Sequence, residues 1–100
     1  MVGSEEILEA LRAVQDPEMG ISIVDLGLVY RAEEVSDAIE VEFTLTYPGC
    51  PVGDEIREEI ASRLFYCFPA NKVRIALVWK PVWGPEKMTE ALRLELGYPI

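Results

Sequence analysis

The fold of this chain is decided by residues 38–68, which read AIEVEFTLTYPGCPVGDEIREEIASRLFYCF. Apolar and polar side chains alternate strictly in the first part of this stretch, with the apolar ones at Ile39, Val41, Phe43 and Leu45. A period of two is typical of a strand that has one face in the core and the other nearer water. We therefore predict a strand over Ala38–Thr46.

The second part of the stretch has a helical period. Apolar side chains recur every four residues, at Val52, Ile56, Ile60, Leu64 and Phe68. Charged side chains cover the other side, as in a helix that packs on a core. Proline is favoured at the first position of a helix, so we predict a helix from Pro51 to about Phe68 with Cys50 at its N-cap.

Strands are expected on both sides of this stretch. Alternating apolar residues after the helix predict a strand over Lys72–Trp79, and a helix between two strands allows them to lie parallel in one sheet. Before the stretch, we predict a strand over Val29–Val35 that is joined to the next strand by a turn at Ser36-Asp37. These two strands form a hairpin.

Two more helices complete the expected fold. The first is predicted over Glu5–Val14, with Ser4 as N-cap and Asp16-Pro17 ending it. The last follows Pro85, runs to about Leu96 and stops at Gly97.

The predicted fold class is α/β (α+β), with a single small domain over residues 1–100. It has a three-stranded mixed sheet with a hairpin and one βαβ crossover, and its helices pack on the sheet.

Charge limits the expected partners. The chain carries 18 acidic and 9 basic residues, a formal net charge of -9. Such a surface repels phosphate backbones, so we expect neither nucleic acid nor an anionic membrane as partner. The acidity either keeps the protein soluble or selects a basic protein partner.

With no apolar run near the ~20 residues of a membrane helix and no secretory N-terminus, we expect a cytoplasmic protein.

The sequence has two cysteines and no histidine. The missing histidine excludes a Ser-His or Cys-His hydrolase assembled from this chain alone, and every histidine-containing metal site. The two cysteines are 17 positions apart, roughly 25 Å along a continuous helix. We therefore expect no bond between Cys50 and Cys67 within a subunit, and we predict that Cys67 belongs to the core.

Cys50 is the sharpest chemical signal. It lies in the turn Pro48-Gly49-Cys50-Pro51 between a predicted strand and a predicted helix. The N-terminal end of a helix stabilises a thiolate, so we expect an exposed nucleophilic or metal-ligating thiol. The other interpretation is a small buried residue that fills the turn.

Two further groups of residues are candidates. Asp16 and Glu18 flank Pro17 in a rigid turn, where Asp16 has either a functional role or a role in turn hydrogen bonding. Asp25 lies in an apolar segment and is expected to be structural, with a partner such as backbone N–H groups. Trp79 and Trp83 either form a partner-binding surface or cap the core.

Taken together, these motifs resemble one family. They are Asp16-Pro17-Glu18, Asp25-Leu26-Gly27-Leu28-Val29, Thr46-x-x-x-Cys50-Pro51, and Trp79-x-Pro81-x-Trp83 followed by Met88-Thr89. The set resembles, in order, the small-domain iron–sulfur cluster assembly family that includes SufT, PaaD and the eukaryotic cytosolic cluster-targeting component. PaaD-like members carry a further cysteine-rich region, which this sequence lacks, so it looks more like SufT or a stand-alone domain. Tyr47, Lys80 and Gly84 depart from the usual residues of the family.

The resemblance implies an accessory role in iron–sulfur cluster assembly or delivery to client apo-enzymes. It implies a functional group of Asp16, Glu18, Thr46 and Cys50, and frequent self-association as a homodimer. One subunit offers a single thiolate there, so we expect only transient iron or cluster contact through Cys50, and no permanent cofactor. The alternatives are a non-catalytic adaptor subunit and an enzyme with a cysteine nucleophile.

Overall fold

The computed structural model describes residues 2–46, 49 and 51–97 of the chain. Its helices are α1 (Ser4–Leu11), α2 (Gly53–Cys67) and α3 (Glu90–Leu96), with a 3₁₀ turn at Pro85–Lys87. Its strands are β1 (Gln15–Asp16), β2 (Ile21–Ser22), β3 (Val29–Val35), β4 (Ala38–Phe43) and β5 (Lys72–Leu77).

The main sheet has the strand order β3-β4-β5. β3 and β4 are antiparallel and joined by a tight turn that pairs Val35 with Ala38. β4 and β5 are parallel, with Val41 opposite Ile75, and α2 connects them. The predicted fold class, a mixed three-stranded sheet with a hairpin and one βαβ crossover, is therefore confirmed. The small antiparallel pair of β1 and β2 was not predicted.

The core lies between one face of the sheet and the two longer helices. From β4, the alternating side chains Ile39, Val41 and Phe43 are at most 1% exposed. α1 and α2 meet them with fully buried side chains, which are Ile7, Leu11, Ile56, Ile60 and Leu64. Each such side chain contributes about 1.5–3 kcal/mol through burial. The predicted apolar faces of β4, α1 and α2 are thus the core faces.

The helix starts differ from the predictions. Gly3, not Ser4, is the N-cap of α1, and the Glu6 carboxylate accepts a hydrogen bond from its N–H at 3.3 Å. α1 ends at Leu11 because the next residues make bonds of 3₁₀ spacing, such as Val14 N–H to Leu11 O at 2.9 Å.

The predicted start of α2 at Pro51 is also wrong. Val52 is the N-cap, and the first bond of helical spacing runs from Ile56 N–H to Val52 O at 2.9 Å. The cap position that we predicted for Cys50 therefore belongs to Val52. Cys50 itself lies outside the described residues.

β4 ends earlier than predicted, and Thr44 is 1% exposed instead of lying nearer water. Where β4 ends, its backbone is hydrogen-bonded to a different segment of the chain on each side. Thr44 N–H donates to Leu28 O at 2.8 Å, and Val78 N–H donates to Phe43 O at 2.8 Å. These two segments exclude water from Thr44.

The C-terminal part has shorter helices and strands than predicted. β5 stops at Leu77, before Trp79, and the Lys80-Pro81 peptide bond is cis. The single predicted helix is a 3₁₀ turn followed by α3, whose N-cap Thr89 accepts a hydrogen bond from Leu92 N–H at 3.3 Å. α3 ends at Gly97, as predicted. Within the described residues, no helix has the length and apolar character needed to cross a membrane.

Candidate functional site

Asp16 forms the turn between β1 and β2. Its side chain is 2% exposed, and its Oδ1 accepts a hydrogen bond from Glu18 N–H at 2.8 Å. Its carbonyl accepts from Gly20 N–H at 2.7 Å, where the backbone is left-handed with φ +68°. Aspartate commonly stabilises turns in this way. The structure thus shows the turn hydrogen bonding that we considered for Asp16, while its functional role stays a prediction.

Glu18 lies in the same turn, on the surface. Its backbone is held by the Asp16 carboxylate, so the position of the Glu18 side chain depends on Asp16. The turn therefore presents one exposed carboxyl group on a backbone that a buried carboxylate fixes.

Thr46 lies in the segment that leaves β4. It is half-buried in a bend, directly after the buried Leu45. A Cβ on Gly53 would lie 3.0 Å from Leu45 Cδ1, so Leu45 packs closely on the first turn of α2. The residue before Thr46 is therefore in close contact with the start of α2.

The segment that follows β4 leads to the N-terminal end of α2. Helix N-termini have free N–H groups and partial positive charge, which attract anions and thiolates. Exposed Asp54 and Glu55 lie in the first turn and oppose that attraction. Cys50 precedes this end in sequence and lies outside the described residues, so stabilisation of its thiolate stays a prediction.

A run of backbone hydrogen bonds links the Asp16 turn to the exit of β4. Val14 O accepts from Ile23 N–H at 3.0 Å, and Ile23 O accepts from Leu28 N–H at 2.9 Å. Leu28 O then accepts from Thr44 N–H at 2.8 Å. This link was not predicted, since the largely apolar segment 21–28 indicated burial but not its hydrogen-bond partners.

Asp25 takes part in the fold through a side-chain partner. Arg12 donates to its Oδ1 at 2.9 Å, and the Asp25 carbonyl accepts from Thr89 N–H at 3.0 Å. The partner of its carboxylate is a guanidinium, not the backbone N–H groups that we suggested. These contacts favour the structural role that we expected for Asp25.

The two tryptophans have different environments. Trp83 Nε1–H donates to Leu26 O at 2.7 Å, and its ring packs against the core. Trp79 is 42% exposed. The Trp83 side chain is thus engaged in contacts within the fold, whereas the Trp79 side chain is accessible to a partner.

Tyr30 connects β3 to the tryptophan segment. Its hydroxyl donates to Pro81 O at 2.9 Å, and the Lys87 ammonium lies 5.5 Å from its ring centroid. Burial, and secondly the charge of Glu86, raise the pKa of Tyr30.

Cys67 is a free thiol that is partly exposed and lies outside the buried core cluster. Our prediction of a core residue is wrong, because the fully buried positions of α2 end at Leu64 and the neighbouring Phe65 and Tyr66 are 70% and 79% exposed. Across the described residues, no group of three or more Cys, Asp or Glu side chains is arranged to hold a metal ion.

Comparisons with known proteins agree on one family. A family model described as an iron–sulfur cluster assembly protein matches residues 4–77. Over 95 residues the chain is 37% identical to an Fe-S protein maturation auxiliary factor of Porphyromonas gingivalis, covering 94% of this chain and 90% of that one. Over 85 residues it is 35% identical to the Fe-S protein maturation auxiliary factor SufT of Staphylococcus aureus, covering 84% and 97%.

The fold is shared with a solved structure. A domain of unknown function from Bacillus anthracis superposes with a TM-score of 0.88 at 32% identity, covering 96% of this chain and 92% of that one.

Proposed function

This chain belongs to the family of iron–sulfur cluster assembly proteins, and from that premise we propose that it is a non-catalytic accessory factor that helps deliver clusters to client apo-enzymes in the cytoplasm. The match over residues 4–77 is the observation that carries this proposal. The cluster is cargo that the protein contacts briefly.

Cys50 is the group that we propose to contact the cargo. As a thiolate it replaces one thiolate ligand of a cluster, or of iron, in a ligand exchange. One iron–sulfur bond forms and one breaks, no electron is transferred, and the departing thiolate takes up the proton that Cys50 released. The N–H groups at the start of α2, which follows Cys50 closely in sequence, favour a thiolate, while Asp54 and Glu55 oppose it.

The turn of Asp16 and Glu18, together with Thr46, is proposed to support Cys50. The hydrogen bonds that run from Val14 through Leu28 to Thr44 support this assignment, because they fix the turn relative to the exit of β4. In this proposal Glu18 presents its carboxylate to a client or to iron, and Asp16 holds Glu18 in place.

We also propose a homodimer as the working form. One subunit offers one thiolate at this site, and cluster ligation with four cysteines needs more. Two subunits would supply two Cys50 thiolates, and a client would supply the remaining ligands. Sedimentation of the purified protein at micromolar concentration tests the dimer separately from Cys50.

A second candidate function is a non-catalytic adaptor in a multi-protein complex. The exposure of Trp79, 42%, favours it, because large aromatic side chains are common anchors in protein interfaces. This candidate requires that Trp79→Ala weakens partner binding while Cys50→Ala has no effect.

An in vitro transfer assay tests the proposal. A scaffold protein loaded with a [4Fe–4S] cluster and a purified apo-enzyme that needs one are mixed without oxygen, and recovery of enzyme activity is followed. Wild-type protein should accelerate recovery. Cys67→Ser is the matched control, since it removes the other cysteine of the sequence and should act like wild type. Cys50→Ser should be no better than buffer, and equal acceleration by Cys50→Ser would contradict the proposed role of this thiol.

A further inference from the structure

A trough runs along the surface between α1 and α2, away from the connection that contains Cys50. One part, of about 640 Å³, lies between Glu5, Glu6 and Glu9 of α1 and the Cys67 end of α2. The adjoining part, of about 450 Å³, is lined by Ala13, Glu59 and Tyr66, among others. The small side chains Ala10 and Ala13 leave this space open on the α1 side.

Arg63 is partly buried and lines both parts of the trough. Its Nε–H donates to Ala10 O at 3.2 Å, and its guanidinium lies 5.7 Å from the Tyr66 ring centroid. Since its positive charge is engaged with α1 and with the ring, Arg63 contributes a surface that connects the helices. It does not pair with the carboxylates of the rim.

The rim of the trough is acidic. Glu9 is paired with exposed Arg12 at 3.2 Å, whereas Glu5 and Glu59 make no ion pair with any of the described residues. Both of these carboxylates are exposed. The rim therefore carries negative charge that the fold leaves unneutralised.

Apolar surface accompanies this charge. Tyr66 is 79% exposed and lines the trough, while Ala10 and Phe68 provide apolar walls. An exposed aromatic ring next to a groove between two helices is typical of surfaces that bind an amphipathic helix.

We propose that this trough binds a basic amphipathic helix of a partner protein. The apolar side of that helix packs on Tyr66 and the alanines, and its Lys or Arg side chains face Glu5, Glu9 and Glu59. A second copy of this trough is the wrong occupant, because the contact would place the exposed rim carboxylates against one another. The proposal goes beyond the delivery role and does not depend on Cys50.

Peptide binding to the full-length protein tests this proposal. The probe is a fluorescein-labelled helical peptide of Lys and Leu with one apolar face, and its Glu/Leu counterpart is the control peptide. The Lys/Leu peptide should bind, and binding should weaken as salt is raised. In ¹⁵N-resolved NMR spectra it should shift amides of residues 5–13 and 59–68 and leave those of α3 unchanged.

Matched variants locate the site. Glu59→Lys should weaken binding about tenfold, whereas Glu95→Lys on α3 changes the net charge equally and should have little effect. Tyr66→Ala should also cost about tenfold, whereas the neighbouring Phe65→Ala, equally accessible but outside the trough, should not.

Three results would overturn the proposal. The first is the absence of binding by the Lys/Leu peptide at low salt. The second is an equal loss in Glu59→Lys and Glu95→Lys, which would mean diffuse attraction to an acidic protein. The third is concentration-dependent shifts of the same amides without peptide, which would identify the trough as a contact between copies. None of these results bears on whether Cys50 delivers clusters.

Discussion

At the scale of single residues, Asp16 combines two properties that substitutions separate. Its carboxylate oxygen accepts the Glu18 N–H at 2.8 Å, and its charge lies in a site that is 2% exposed. Asp16→Asn retains an acceptor oxygen but removes the charge. Asp16→Ala removes both.

We expect Asp16→Ala to lower the free energy of unfolding by about 1–3 kcal/mol, because a buried turn donor loses its partner. Asp16→Asn should lose clearly less. Urea denaturation of both variants measures the difference. Equal destabilisation would show that the charge, and not the turn hydrogen bond, is what the fold uses.

Glu40 should give part of the stability a pH dependence. Its carboxylate accepts from Arg31 at 2.7 Å and from Arg74 at 3.1 Å on the sheet face opposite the core. The Arg31 hydrogen bond is the main cause that lowers the pKa of Glu40; burial opposes it, and the Arg74 bond adds to it. Because the folded-state pKa lies below the unfolded one, the contribution is complete above the unfolded pKa and is lost as pH falls through the folded one.

The measurement is the free energy of unfolding of wild type and Glu40→Gln at about pH 7 and about pH 3. We expect the variant to be less stable than wild type at the higher pH and the gap to close at the lower pH. Glu95→Gln is the control and should show no such trend. A gap that widens in acid would contradict the assigned direction of the pKa shift.

Gly27 and Gly20 form a natural pair for comparison. Both have left-handed backbones, with φ +75° and +68°. A Cβ on Gly27 would overlap the Lys87 carbonyl, whereas a Cβ on Gly20 meets nothing within 4 Å. We expect Gly20→Ala to cost about 1 kcal/mol from the backbone alone and Gly27→Ala clearly more. Thermal unfolding of the two variants measures these losses of stability. Similar losses would mean that the Lys87 backbone moves aside without a large loss of stability.

At the scale of elements, Trp83 should stabilise the packing of the C-terminal segment on the fold. Trp83→Phe keeps an aromatic ring but loses the bond from Nε1–H to Leu26 O at 2.7 Å. We expect it to cost about 1–2 kcal/mol, since a buried acceptor loses its donor. Trp79→Phe, at an exposed position, should change stability by less than about 0.5 kcal/mol in the same denaturation experiment. A larger loss in Trp79→Phe would reverse the roles of the two rings.

The elements with a strong period were predictable. β4 and α2 follow from alternating and four-residue patterns, and their predicted apolar faces are the buried ones, from Ile39 to Leu64. Their ends were less predictable because tertiary contacts decide them. Thr44 is buried by Leu28 and Val78, which are distant in sequence, and Gly3 replaces Ser4 as a cap through a bond to Glu6.

The candidate site was predictable only in part. Asp16-Pro17-Glu18 indicated a turn, and the structure shows the hydrogen bond that forms it. The bond between Leu28 and Thr44 was not predictable, because the alternating pattern around Thr44 predicts a strand but does not say which distant segment pairs with it. The same holds for the pairing of Arg12 with Asp25, since any exposed cation could serve the same carboxylate.

At the scale of the whole molecule, α2 separates two surfaces. Its 15 residues span about 22 Å. The connection from β4, which contains Cys50, precedes its first turn, and the acidic trough runs toward its last turn. A partner seated on the trough would therefore leave the first turn of α2 uncovered.

The central claim is that this protein serves iron–sulfur enzymes through Cys50, and complementation in cells tests it most directly. A strain that lacks the protein receives wild type, Cys50→Ser or Cys67→Ser at equal expression, and the iron content and activity of several iron–sulfur enzymes are measured. We expect wild type and Cys67→Ser to restore both quantities and Cys50→Ser to leave them at the level of the empty vector. Full restoration by Cys50→Ser would contradict the account.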